Sequence, residues 1–313
     1  IFEKPYLKKV PKTVHSIPII NKIIQLLDAI KLPGFKGFSL YDLLEIYVIG
    51  IIKGTLTSRA GSISFSFFMA LFPFLLFVLN LIPFIPIDNF DIILLEFIEL
   101  LLPVDIQSFF SDIFEDIKNK PRGGLLSSVF ILSIFLTANG VSSIFTNFED
   151  SYHVNEVRTL FKQYLYATGV AVLLAMTLLI TVLSFILVEI YVLQNLPELI
   201  QGTINWIRTA QLFFFVIMTY VSVALLYYFG TIEGRKARFF SAGALMTTLL
   251  FITTTYLFGL YIDNFATYNQ LYGSIGALLL FLLYIWLNSN ILLLGFELNA
   301  TLTRLKNSPT ESK

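Results

Sequence analysis

The stretch from Leu173 to Val188 reads LLAMTLLITVLSFILV and carries no charge. A bilayer core about 30 Å thick is crossed by roughly 20 mostly apolar residues in a helix. The chain supplies such a stretch about six times. The expected spans run over about 60–82, 124–148, 164–192, 211–229, 240–262 and 274–300. Lipid leaves no water to satisfy backbone groups, so helices are the simplest structure that such runs can form. The expected fold class is therefore all-α: a polytopic membrane protein with about six transmembrane helices. Composition agrees, with 56% hydrophobic and 13% charged residues. A soluble domain averages about 25% charged residues, so this chain has too few to cover a surface in water.

The polar remainder divides the chain into three regions: 1–59, 60–303 and 304–313. Residues 1–59 read as cytoplasmic or interfacial amphipathic helices, Val14 to Ile30 and Tyr41 to Thr57, separated by the breaker run Pro33-Gly34-Phe35-Lys36-Gly37. Residues 60–303 form the six-helix domain, and residues 304–313 a cytoplasmic tail. Within the domain, 83–123 reads as an extracytoplasmic amphipathic helical segment, acidic over 88–117 and broken at Pro103. The first span holds Pro73, which should kink it or free a carbonyl. It also holds Ser62, Ser66 and Ala70 at four-residue spacing, a stripe that lets another helix approach closely.

Charge sets the orientation. Lys4, Lys8, Lys9, Lys12, Lys22, Lys31, Lys36, Lys53 and Arg59 precede the first span. Arg158 and Lys162, then Arg235, Lys236 and Arg238, then Arg304, Lys306 and Lys313 follow at alternate loops and the tail. Six spans place all of these on one side and leave Lys118, Lys120, Arg122 and Arg208 on the other. The positive-inside rule makes the basic side cytoplasmic, with both termini.

Polar side chains inside spans are costly and mark helix contacts or wet cavities. Asn139 belongs to the second span, Glu189 ends the third, and Thr247, Thr248, Thr253, Thr254 and Thr255 line the fifth. The threonines fit bonding to the preceding turn, and Glu189 fits pairing with Arg208. In the sixth span Trp286, Asn290 and Glu297 share one face, while Asn288, Gly295 and Asn299 share a roughly opposite one. The second stripe reads as interhelical bonding. The first reads either as a cavity lining or as bonding, with Arg59, Arg158 or Arg304 available to Glu297. Asn139, Asn290, Glu297 and Trp286 are the candidate substrate path.

Enzyme signatures are not found. The glycines of Pro121-Arg122-Gly123-Gly124 lack the rest of a phosphate loop. With no cysteine, and His15 and His153 as the only histidines, a hydrolytic zinc site has no ligands. The chain is expected to be no enzyme and to need no cofactor or metal. The N-terminal lysines fit topology and anionic lipid headgroups better than nucleic acid, so membrane lipids are the expected partners.

Three segments resemble the YihY/BrkB family of bacterial inner-membrane proteins, long mislabelled ribonuclease BN. The first is Arg59 to Phe65, RAGSISF, leading to Leu71-Phe72-Pro73. The second is NFEDSYHVNEVR, with Asn147, Tyr152, Glu156 and Arg158 in the family's pattern. The third runs from Phe265 to Ala277, with Tyr268, Asn269, Tyr272 and Gly273, and continues to Trp286 and then Gly295-Phe296-Glu297-Leu298-Asn299-Ala300. Ser241-Ala242-Gly243-Ala244 resembles the family's opening of the fifth span, with Ser241 in place of its usual proline. The resemblance covers about residues 40–303. It implies six helices, cytoplasmic termini and the bacterial plasma membrane. It brings no agreed activity: family members have been linked to serum resistance, envelope lipid phenotypes and ion–proton exchange.

The leading expectation is a plasma-membrane transporter for a lipid or lipid-linked envelope precursor. The alternatives are a cation/proton antiporter using Glu297 or Glu189, and a non-transporting structural protein of envelope assembly. Topology is directly testable. Single cysteines at Leu100, Ile200 and Thr267 should react with an impermeant reagent from outside, and those at Val10, Asn155 and Lys236 only after permeabilisation. Outside reaction at Lys236 in correctly inserted protein would overturn six spans.

Overall fold

The computed structural model describes residues 18–31, 55–81, 126–151, 156–188, 201–236, 238–265 and 274–307, with short pieces between 39 and 48 and between 92 and 115, and Val154. Regular structure there is helical: α1 (Pro18–Ala29), α2 (Leu56–Leu81), α3 (Leu126–Glu149), α4 (Leu160–Val188), α5 (Gln201–Gly230), α6 (Ala242–Phe265) and α7 (Ser274–Asn307). A short 3-10 turn, Glu233–Lys236, lies between α5 and α6. Helices α2 to α7 are long and apolar enough to cross a bilayer. Several overrun the apolar windows that mark them. α5 starts near Gln201 rather than 211, and α7 continues past 300 to Asn307. Helical hydrogen bonding does not stop where hydrophobicity does, so polar ends project beyond the hydrocarbon.

The N-terminal helix α1 leaves Leu26 and Ile30 exposed. An isolated bridge between Lys31 and Ser39 closes the breaker run, with Leu40 N donating to Ile30 O at 2.9 Å. In the 83–123 segment, Leu94 and Phe114 are buried against Leu75, Phe77 and Val78 of α2 and Leu179 and Val182 of α4. Glu96, Asp112 and Glu115 are exposed.

Each of the six long helices packs on its two neighbours in sequence, and α7 returns to α2, so they form a closed ring. Large apolar side chains such as Phe65, Met69, Ile131, Phe135, Tyr256 and Leu257 are exposed. In water such a surface would drive aggregation; in hydrocarbon it is solvated. Lipid gives helices no hydrophobic reason to associate, so contact relies on small residues and polar bonds. The Ser62/Ser66/Ala70 stripe of α2 receives α3. A Cβ on Gly140 would lie 2.3 Å from the Ala70 Cβ, and Asn147 Nδ2 donates to Ser62 Oγ at 3.2 Å.

The closest crossing joins α6 and α7 at Gly243 and Gly295. A Cβ on Gly295 would fall 1.9 Å from Thr247 Oγ1, and one on Gly243 would fall 2.2 Å from Gly295 O. Ser241 caps α6: its carbonyl accepts from Leu245 N at 3.1 Å and its hydroxyl from Ala244 N at 3.3 Å. Asn299 completes this end, accepting from Gly243 N at 2.8 Å and donating to Ser241 Oγ at 2.7 Å. The first amides of a helix have no intrahelical partner, and in a membrane they must find one. A serine at 241 supplies an oxygen that proline lacks, which fixes the start of α6 at Ala242.

Among the described residues, the core is continuous at one end of the ring only. At the end holding the start of α2 and the finish of α7, all six long helices join one buried cluster. Phe148, Tyr227 and Phe296 fill its centre, Phe148 and Phe296 stacked at 4.3 Å. At the other end the described core divides. One cluster unites α2 and α4, with Phe215 of α5 against it. The other unites α6 and α7, with Phe68 of α2 against it, and Leu71 borders both.

Glycine positions give a graded test of the crossings. Gly140→Ala and Gly295→Ala should each lower stability by about 1–3 kcal/mol through overpacking. Gly61→Ala and Gly169→Ala, where an added Cβ meets nothing within 4 Å, should be neutral or mildly stabilising. Thermal unfolding in detergent micelles ranks the four.

Candidate functional site

Alternate ends of the long helices meet at the closed end, which is also the charged end. Arg59 opens α2, and Asn147 and Glu149 finish α3. Ser151 and Arg158 lie between α3 and α4, and Glu297 lies in the last turns of α7. Arg59 Nη1 donates to Glu297 Oε1 at 2.7 Å, with both side chains buried (5% and 0% exposed). Ser151 Oγ donates to the second oxygen, Oε2, at 2.8 Å. Arg59 also turns its Nε, at 2.8 Å, and its Nη2 onto the carbonyl of Asn147. That carbonyl is one of the last four of α3, which lack intrahelical donors. The guanidinium thus neutralises a carboxylate and caps a helix C-terminus, where positive charge is favoured. Asn147 is held in turn, its amide donating to Ser143 O at 2.8 Å and to Ser62.

A second arginine repeats the pattern beside the first. Arg158 Nη1 donates to the carbonyl of Phe229, in the last turn of α5. Its backbone N donates to Glu149 Oε2 at 3.3 Å. Glu149 Oε1 and Arg158 Nη2 are buried without a hydrogen-bond partner, as is Thr301 Oγ1. Burial pushes the Arg158 guanidinium below its ordinary range; Glu149 opposes this and Arg235 adds to it. Arg158 and Arg235 both lie over the Tyr166 ring, at 4.8 and 4.1 Å.

The sequence candidates separate in space. Glu297 is at the centre of the closed end, with both carboxylate oxygens engaged. Asn290 and Trp286 are half-buried higher on α7, and the Asn290 amide donates to Trp286 O at 2.7 Å. Asn139 is exposed on α3, two turns from Asn147. Of the opposite stripe, Gly295 and Asn299 bind α6. The Asn288 amide instead donates back to Tyr284 O at 2.9 Å. A polar side chain at helix spacing can always choose its own preceding turn, and Asn288 does. Thr248, Thr253 and Thr255 bond the carbonyls four residues earlier. Glu189 and the side chain of Arg208 lie outside the described residues.

Arg59, Asn147, Arg158, Gly295 and Asn299, far apart in sequence, come together here. Pro73 is inside the other half of α2, and Glu156 is exposed. Tyr152, Tyr268, Asn269, Tyr272 and Gly273 lie outside the described residues. Ser151 and Tyr227 carry bonds that the sequence reading missed. The Tyr227 hydroxyl contacts Thr247 Oγ1 at 2.6 Å and donates to Leu292 O at 2.7 Å, linking α5 to α6 and α7. Its signal was available, because a tyrosine buried among leucines needs a partner for its hydroxyl. Among the described residues, no three His, Asp or Glu side chains are grouped to hold a metal.

A family model described as virulence factor BrkB matches residues 50–313. The chain is 26% identical over 265 residues to the ribonuclease-like protein YfkH of Bacillus subtilis (strain 168), covering 82% of this chain and 93% of that one. It is 28% identical over 249 residues to a UPF0761 membrane protein of Prosthecochloris aestuarii, covering 76% of this chain and 55% of that protein's length. No solved structure matches.

The buried pair makes a quantitative prediction. Removing one partner of a buried ion pair costs on the order of 3–5 kcal/mol, because the other charge is stranded. Glu297→Gln and Arg59→Gln should each destabilise on that scale. The double variant should lose less than their sum, with a coupling of about 0.5–3 kcal/mol. Ser151→Ala should cost about 1 kcal/mol. Denaturant unfolding of the four proteins checks this, and additive losses would show that the two residues act independently.

Proposed function

The chain belongs to the BrkB/YihY family of membrane proteins, and from that premise we propose that it is a plasma-membrane transporter of a lipid or lipid-linked envelope precursor. The observation that carries the reading is the division of the core: one cluster at the charged end, two at the other. A carrier must keep one end sealed while the other admits cargo. Here the seal is the aromatic centre of Phe148, Tyr227 and Phe296 together with Arg59, Glu297 and Ser151. At the other end the separation falls between α5 and α6. Among the described residues, the tyrosine hydroxyl bonds from α5 to this region, Tyr220 to the Ser241 carbonyl and Tyr227 to Thr247, both lie near the charged end. A seam opening sideways suits a molecule whose headgroup must pass while its chains stay in hydrocarbon.

In this reading Asn139, Asn290 and Trp286 belong to the passage and its edges. Glu297 serves the gate, since its oxygens are already occupied. The excess of positive charge at this end supports a cytoplasmic position for the gate. The sequence holds no nucleotide-binding loop, so movement would be passive or coupled to an ion gradient. Exchange of protons at Glu297 is the competing reading. It requires the carboxylate to leave Arg59 during the cycle.

Lipid scrambling and ion flux measured side by side in liposomes test both. The expected result is movement of a fluorescent lipid analogue that depends on the protein and a flux of cations that does not. Glu297→Gln, compared per folded molecule by melting the same preparation, should slow lipid movement about tenfold or more. Cation flux abolished by Glu297→Gln, with no lipid movement in the parent protein, would replace the proposal with an antiporter. Neither activity in folded protein would leave the structural reading.

A further inference from the structure

The connection from Thr231 to Ser241 joins α5 to α6 at the charged end and presents two exposed arginines, Arg235 and Arg238. Among the described residues neither forms an ion pair. The Arg235 guanidinium lies 4.1 Å from the centre of the Tyr166 ring and 5.6 Å from that of Phe229. Arg158 lies against the same tyrosine, 92% buried, with Nη2 unpartnered. Lys162 is exposed one helical turn before Tyr166, on the same face of α4. Cations are therefore gathered around one ring, where they repel one another.

Depth identifies what relieves that repulsion. The apolar stretch of α4 runs over 26 residues, Leu160–Phe185. At 1.5 Å per residue it is about 39 Å long, against a hydrocarbon core of about 30 Å. The excess of about 9 Å brings an end of the stretch to the headgroups, and the aromatic and basic residues gathered near Leu160 favour that end. The aromatic series Phe229, Tyr228, Phe239, Phe240 and Tyr220, each ring centre within 6 Å of the next, has the composition of an interfacial belt. Beside Lys162, Leu160 and Phe161 are 84% and 81% exposed, and Leu165 is exposed one turn on. A free phosphate has no use for that apolar flank. A phospholipid uses both parts.

We propose that Arg235, held at Tyr166, together with Lys162 one turn away on α4 and Arg238 on the same connection as Arg235, docks the phosphate of an anionic phospholipid whose acyl chains lie along Leu160, Phe161 and Leu165. The site is on the exposed side of α4 and is independent of any transported cargo. Guanidinium groups suit phosphate oxygens through paired hydrogen bonds, and stacking on Tyr166 holds Arg235 ready.

The test uses the full chain in nanodiscs of phosphatidylcholine with and without phosphatidylglycerol. Melting temperature and the lipid retained in native mass spectrometry are both recorded. The parent protein should melt higher with phosphatidylglycerol and retain at least one molecule of it. R235Q/R238Q should lose both effects. K22Q/K31Q removes the same charge from the N-terminal helix and should keep both. Equal loss in the two double variants would reduce the effect to general surface potential and overturn the site. So would an equal melting shift from soluble glycerol phosphate. If R235Q/R238Q does not fold, L160Q/F161Q retains every cation and removes the flank. Undiminished phosphatidylglycerol retention in that variant would also overturn the proposal.

Discussion

A guanidinium from the first long helix and a carboxylate from the last, 238 residues apart in sequence, meet 2.7 Å apart with both side chains buried. Each charge loses hydration worth several kcal/mol on burial, and their attraction compensates only when the remaining hydrogen-bonding positions are filled. Ser151 and the Asn147 carbonyl fill them. The arrangement also decides the architecture. Five of the six ring contacts join helices that follow one another in the chain, whereas α2 against α7 does not follow from connectivity. Oily surfaces specify no particular neighbour within hydrocarbon. A paired charge does, because any other partner strands an ion.

The same end solves a second problem. Helix termini present carbonyls and amides that lipid cannot satisfy. Arg59 serves the finish of α3, Arg158 the finish of α5, and Asn299 with Ser241 the start of α6. These side chains therefore belong at one level of the molecule, where ends converge. Among the described residues, the other half holds its helices mainly by apolar contact, with the Thr255 and Tyr284 hydroxyls bonded between α6 and α7, and such contact tolerates separation more readily than hydrogen-bonded caps do. Among the described residues, a continuous core at one end and a divided core at the other thus follow from where the polar residues are placed.

Much of this was legible in the sequence. Six apolar runs gave six helices, and the four-residue spacing of Ser62, Ser66 and Ala70 gave the face that meets α3. Gly295 and Asn299 announced a helix contact, because a glycine and an amide one turn apart leave room and supply bonds. Helix ends were less legible: hydropathy reports contact with lipid, and α5 and α7 extend beyond it. Asn288 shared its stripe with Gly295 and Asn299 yet bonds its own helix, a choice that spacing alone does not decide. Glu297 read as either a lining or a paired residue. Arg59 was one of three arginines available to it; only the three-dimensional neighbourhood selects Arg59 and adds Ser151, since pairing across a whole chain leaves no local pattern.

The glycine crossing of α6 and α7 has a mechanical consequence. With backbone against backbone at Gly243 and Gly295, and Asn299 bonded to both Ser241 and Gly243, sliding one helix along the other would break three contacts at once. The two helices are therefore a single lever. The described links holding α5 to that lever include the Tyr227 hydroxyl, which touches Thr247 on one arm and the Leu292 carbonyl on the other. One phenolic oxygen thus fastens α5 to both arms, so losing it would loosen α5 from the two of them together.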